Sequence, residues 1–265
     1  MSCSRLHAVL AVVVAGALHA TPVRADAQAG TEDTIAKIKP SVVAVGTFQP
    51  TRAPAFQFRG TGFVVGDGTL VATNAHVLPA TLDKGKRESL AILVPTPAGA
   101  GSVRQVQFRI AREVARDTAH DLALLRIDGT PLPALTVGDS SSVREGRSVH
   151  FTGFPIGAVL GVHAATHRAI IAAISPIAIP QRRDTELDAA TIKRLAAGAF
   201  PMFQLDGIAY AGNSGSPVFD AAGSVIGVIN MVLVRASKES LLTQPSGIAY
   251  AIPSAHLSAL IESVR

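Results

Sequence analysis

From Ser41 onward, short apolar runs alternate with clusters of Gly, Pro, Asn and Asp. The runs are Ser41–Thr47, Gly62–Val65, Thr69–Thr73, Ser89–Val94, Leu122–Ile127, Ser148–Phe151, Ala169–Ile174, Val225–Val234 and Gly247–Ile252. Each has strand length, is rich in Val, Ile and Ala, and is bounded by turn residues, which predicts β-strands. Gly66-Asp67-Gly68 lies between two of them and predicts a hairpin. Many short strands without intervening helical periods argue for an all-β barrel or sandwich.

Three stretches break this rhythm. Thr34–Lys39 predicts a short helix stopped by Pro40. Pro180–Gly198 is charged and helix-like; Thr185 with Asp188 resembles a capping box, and Gly198 sits where a C-cap belongs, so a helical insertion is expected over 180–198. In the tail Ser254–Arg265, apolar residues at 257, 260, 261 and 264 share one helical face.

Composition narrows the class. The chain has 265 residues, 48% of them hydrophobic and 16% charged, enough for a sizeable core. The net charge is +5, but Lys and Arg are scattered and aromatics make up 5%, so no basic stripe or stacking platform points to nucleic acid. The single cysteine, Cys3, excludes an intrachain disulfide and a cysteine-based zinc site. Ahead of the strands, Arg5 precedes the apolar run Ala8–Leu18, which is too short to span a bilayer comfortably. Small residues follow at Val23, Ala25 and Ala27, which reads as a secretory signal peptide over 1–25. The expectation is therefore a periplasmic or secreted protein without stable membrane insertion after cleavage.

Three residues stand out chemically, in the chain order His, Asp, Ser. His76 lies in Thr73-Asn-Ala-His-Val77 at a strand end, Asp121 opens His120-Asp-Leu-Ala-Leu-Leu125, and Ser214 sits in Gly212-Asn-Ser-Gly-Ser-Pro217. Singly, each has an ordinary structural reading. Together they meet a chemical need: a serine hydroxyl requires an imidazole to take its proton, and the imidazole requires a carboxylate to fix its tautomer. Glycines around the serine allow backbone N–H groups of Gly212, Asn213 and Ser214 to form an oxyanion hole, with Gly212 and Ser214 the expected donors. His120 is expected to be a surface neighbour of Asp121. His150, His163, His167 and His256 show no ligand spacing, and no metal or cofactor is implied.

These motifs resemble the trypsin-like, chymotrypsin-fold serine proteases, and more closely the exported HtrA/DegP proteases. The likeness extends over PSVVAVG at 40–46, GTGFVVGDGTLVATNAHV at 60–77, VGDSSSVREGRSVHFTGFPIG at 137–157, QLDGIAYAGNSGSPVFDAAGSVIGVIN at 204–230 and SGIAYAIPSAHL at 246–257. It implies two six-stranded antiparallel β-barrels: a leading segment over 26–40, a first barrel over 41–140 with His76 and Asp121, and a second over 141–265 with Ser214, the helical insertion and a C-terminal helix. The linker is expected near Val137–Gly146. Three features depart from the family, one of them the helical insertion over 180–198. With the sequence ending at Arg265, no PDZ domain is expected after the protease segment, and Ser216 stands where the family commonly has glycine.

The resemblance also implies a polypeptide substrate. By family spacing, Ile208 lies at the base of the specificity pocket, favouring small or aliphatic residues before the scissile bond, because an unpaired cation buried there is costly. Tyr210 lines that pocket, and Asn230, Met231 and Val232 pair with the substrate backbone as an added strand. A homo-oligomer is compatible with the family. An α/β-hydrolase is excluded by the chain order and by the absence of G-x-S-x-G. The remaining alternative is a non-catalytic peptide-binding or chaperone-like protein on the same fold.

Overall fold

The computed structural model describes residues 23–95, 106–157, 163–177, 199–230 and 247–265. The segment before Val23, the whole 180–198 stretch, and Met231 and Val232 lie outside the described residues.

Two closed antiparallel barrels form the body. The first contains β1 (Val42–Phe48), β2 (Phe56–Val65), β3 (Leu70–Asn74), β4 (Ser89–Pro95), β5 (Val106–Asp117) and β6 (Leu122–Ile127). The second contains β7 (Ser148–Gly153), β8 (Ala165–Ile177), β9 (Phe200–Asp206), β10 (Pro217–Phe219), β11 (Val225–Asn230) and β12 (Ile248–Pro253). Within the first the neighbours run β1-β2-β3-β6-β5-β4, and β4 returns to β1; the second repeats this order as β7-β8-β9-β12-β11-β10. The hairpin expected at 66–68 joins β2 to β3, and Asp67 accepts hydrogen bonds there from the Thr69 N–H and hydroxyl.

The strand runs read as continuously apolar because both of their faces are buried. In β1, Val43 and Val45 point into the first barrel with Val64, Val71, Ile92 and Leu125. The alternate residues Val42 and Ala44 point outward into a seam shared with Phe63, Leu122, Phe154, Met202, Phe219 and Val228, which joins the two barrels. Phe151, Ile171, Leu205 and Ile229 fill the second barrel. Burying side chains of this size stabilises by roughly 1.5–3 kcal/mol each.

Two helices flank the seam. α1 (Val23–Ile38) begins well before the predicted start at Thr34, then passes through a 3-10 turn, Lys39–Ser41, that accommodates Pro40. It docks through Ile35 and Ile38, and through the Thr34 hydroxyl donating to Ala221 O at 3.0 Å. α2 (Ser254–Glu262) buries Leu257, Leu260 and Ile261 in the same seam, the face read from the sequence. Among the described residues, no helix is long and apolar enough to cross a membrane.

Between β6 and β7 the chain crosses from one barrel to the other. Val137 forms an isolated parallel bridge to Val225 on this path.

Candidate active site

Each barrel contributes part of one cluster. β3 ends at Asn74, and the 3-10 turn Ala75–Val77 that follows presents His76. Asp121 occupies the turn between β5 and β6 and is held at φ 52°. Aspartate tolerates this left-handed region better than most residues, though still at a cost of about 1–2 kcal/mol. Ser214 comes from the loop between β9 and β10 in the other barrel.

The structure brings these three side chains together. His76 Nδ1 lies 2.5 Å from Asp121 Oδ2, and His76 Nε2 lies 2.9 Å from Ser214 Oγ. An ionised carboxylate can only accept, so Nδ1 carries the proton and Nε2 is left as the acceptor for the Ser214 hydroxyl. The carboxylate has further donors: the His76 backbone N–H reaches Oδ1 at 2.8 Å, and Asn230 Nδ2 reaches Oδ2 at 2.8 Å. The turn is tied down by Asn74 Nδ2 and the Ala75 N–H, both donating to Asp121 O at 3.1 Å. Asp121 is only 6% exposed and Ser214 7%, so this chain of bonds is shielded from water, where such interactions are stronger.

The nucleophile loop is fastened to the first barrel by Thr61 of β2. Its N–H donates to Ser214 O at 2.9 Å, its hydroxyl donates to Gly212 O at 2.7 Å, and that hydroxyl accepts the Phe154 N–H at 3.1 Å. Gly215 sits at φ 87°, and a Cβ there would lie 2.1 Å from Thr61 O, so only glycine fits. Gly212, at φ 103°, is confined in the same way by Phe154 O.

The backbone donors divide. Ile156 N–H donates to Ala211 O at 2.7 Å. Because the peptide is planar and trans, fixing that carbonyl on one side aims the Gly212 N–H to the other. The N–H groups of Gly212 and Ser214 have no acceptor among the described residues. The Asn213 N–H differs from expectation: it donates to Tyr210 O at 2.9 Å, closing a tight turn, and is not available to a ligand. The Asn213 side chain is fully buried behind the loop. Ile156 itself lies at φ 54°, a strained conformation for a β-branched residue.

The remaining predicted residues are more dispersed. Ile208 lies at the surface, 40% exposed, and so presents an open apolar patch instead of a closed pocket base. Tyr210 is half-buried near His167, with ring centroids 6.4 Å apart. Asn230 closes β11 opposite Tyr250 and turns its amide to Asp121, a role the sequence reading missed. His120 is a correction. It is not a loose surface neighbour: its ring stacks on His256 of α2 at a centroid distance of 3.7 Å and meets Phe200 of β9 edge-on at 4.7 Å. Thr61 and His256 also escaped the sequence reading, since nothing local marks a residue whose partners come from the other barrel. Among the described residues, no three His, Cys, Asp or Glu side chains are grouped as metal ligands.

Known proteins match this arrangement. The family model of the trypsin-like peptidase domain matches residues 60–228. A probable periplasmic serine endoprotease, DegP-like, from Halomonas elongata is 30% identical over 194 residues, covering 73% of this chain and 32% of that protein. Serine protease HTRA4 from Mus musculus is 30% identical over 235 residues, covering 86% of this chain and 39% of its own length. The chain thus spans roughly a third of the length of these relatives. Among solved structures, the HtrA-type protease AlgW with a decapeptide superposes with a TM-score of 0.62 at 22% identity, over 88% of this chain and 67% of that one. Deg5 superposes with a TM-score of 0.60 at 21% identity, over 88% and 92% respectively, and both agree with the double-barrel fold. With a family match over well over half its length, the chain belongs to the trypsin-like peptidase family, with HtrA- and DegP-type serine proteases among its relatives.

Proposed function

We propose that this protein is an exported serine endopeptidase, acting in the periplasm or outside the cell on unfolded polypeptides. The observation that supports this reading most is the continuous hydrogen-bond chain from Asp121 through His76 to Ser214, built from both barrels.

In the reaction, Ser214 Oγ attacks the scissile carbonyl carbon while its proton passes to His76 Nε2. Asp121 keeps the imidazole in the required tautomer and stabilises its cationic form. The developing oxyanion is received by the N–H groups of Gly212 and Ser214, and one such donor is worth about 10²–10³ in rate. The proton on Nε2 then goes to the leaving amine as the C–N bond breaks, leaving an acyl-serine. Water, deprotonated by His76, attacks the ester and releases the second product, restoring the Ser214 hydroxyl.

Substrate enters as an extended strand beside the end of β11 at Asn230. Ile208 and Tyr210 offer an open apolar surface beside the nucleophile loop, which suits a small or aliphatic residue before the cut.

Labelling with a fluorophosphonate probe tests the reading. Wild type is expected to react and Ser214→Ala to stay unlabelled, with casein degraded by wild type alone. A well-folded wild type that neither labels nor cuts casein would favour a peptide-binding protein on this fold.

A further inference from the structure

Two imidazoles meet across the seam, one from each barrel. His120 immediately precedes Asp121; its backbone N–H donates to Asp117 Oδ1 at 3.0 Å, and its Nδ1 lies 2.6 Å from Asp117 Oδ2. His256, in the first turn of α2, lies flat on the His120 ring, with centroids 3.7 Å apart and an interplanar angle of 21°. Buried Phe200 closes the cluster, edge-on to both rings at 4.7 and 5.0 Å. The turn that carries Asp121 in its strained conformation is therefore pinned to the second barrel through a ring stack.

We propose that His256, acting through His120, is a positioning residue for Asp121, and that it holds the carboxylate in place only while its own ring is neutral. This rests on the reading of Asp121 as part of the catalytic apparatus.

The charges around the stack carry the argument. Among the described residues, the carboxylate on the two rings is that of Asp117, at the end of β5. Arg116 beside it is paired with Glu113, at 2.7 and 2.8 Å, and adds positive field toward Asp121. Asp139, near the start of α2, is occupied by the Ser141 N–H and hydroxyl, both at 2.8 Å. Phe200 of β9 is uncharged. One carboxylate balances one imidazolium; a second cation stacked face to face at this spacing has no counter-ion and is repelled. The N-terminal turn of a helix, where His256 sits, also disfavours a positive ring. Burial first, and then the His120 charge, depress the His256 pKa, with Asp117 opposing in part. Acidification charges the His256 ring, parts the stack and frees the Asp117–Asp121 turn, so activity acquires an acid limb that depends on His256.

The test uses the full chain, with His256→Phe and, should that variant fold poorly, His256→Gln. Each keeps a planar group in place of the imidazole but cannot take up the proton. Below about pH 6.5, where a histidine of depressed pKa takes up its proton, wild type is expected to lose kcat along a limb steeper than that of the variants, with KM little changed. The variants should retain about threefold or more of the relative kcat at the acid end, and lose it along a single-proton limb. Independently of turnover, the downfield proton resonance of the His76 Nδ1–H···Asp121 bond should vanish on acidification in wild type and persist in the variants. Identical acid limbs and identical resonance behaviour in all forms would overturn the proposal. No turnover at any pH, with a resonance that still depends on His256, would uphold the positioning role and defeat the protease reading instead.

Discussion

Asn230 Nδ2 donates to Asp121 Oδ2 at 2.8 Å, so the last residue of β11 in the second barrel steadies a carboxylate that the first barrel presents. The bond crosses the seam inside a fully buried environment, and it leaves the carboxylate with a donor that does not depend on His76.

Asn230→Ala removes that donor from an ionised, shielded acceptor. A hydrogen bond to a charged group is worth about 1.5–3 kcal/mol, so kcat/KM should fall by about 10- to 100-fold. Steady-state cleavage of a fluorogenic peptide measures this. An unchanged kcat/KM in a folded variant would show that the carboxylate is held well enough by the first barrel alone.

Thr61→Val keeps the shape of the side chain and deletes a hydroxyl that both donates to Gly212 O and accepts from Phe154 N–H. Two buried backbone groups lose their partner, which should cost about 1–3 kcal/mol in denaturant unfolding. With Gly212 as a proposed oxyanion donor, the rate of fluorophosphonate labelling should fall by about tenfold or more. Thr61→Ser restores the hydroxyl and should recover most of both quantities.

The half-buried ring of His167 stacks on Phe151 at 4.9 Å, and its Nε2 is buried without a hydrogen-bond partner among the described residues. Burial pushes its pKa below the usual histidine value, and the same holds for His150, where Arg168 adds to the effect. A base with a depressed folded pKa binds fewer protons than the unfolded chain below about pH 6.5, so stability is complete above that value and declines as the pH falls through it. Thermal midpoints across this range should decrease for wild type and decrease less for His167→Phe, which keeps the stack without the ionisable nitrogen. Parallel curves for the two proteins would assign the acid sensitivity elsewhere.

Much of the molecule was legible in the chain itself, and the gaps have physical causes. Strands with two buried faces, such as β1 and β11, announce themselves as unbroken apolar runs. β5 does not: Arg112, Glu113 and Arg116 point to solvent, Phe108, Ile110 and Val114 are also exposed, and a bulge between Glu113 and Ala115 interrupts its alternation. β9 contains an exposed proline, Pro201, and β10 has only three residues, too few for a pattern. The meeting of His76, Asp121 and Ser214 was readable because these residues sit in distinctive local contexts. Thr61, Asn230 and His256 sit in ordinary ones, and they matter only because folding carries them to partners on the opposite barrel. The Asn213 amide shows the limit from the other side: it lies between the two expected donors, Gly212 and Ser214, but the turn back to Tyr210 uses its own N–H internally.

The division of the site between two shells also sets an order of events during biosynthesis. All six strands of the first shell, with the imidazole and the carboxylate, leave the ribosome before any strand of the second. The hydroxyl follows later, and its shell cannot close until β12, near the C-terminus, has bridged β9 and β11. Closure of the second shell, and with it the approach of the hydroxyl to the imidazole, is therefore the last of these assembly steps.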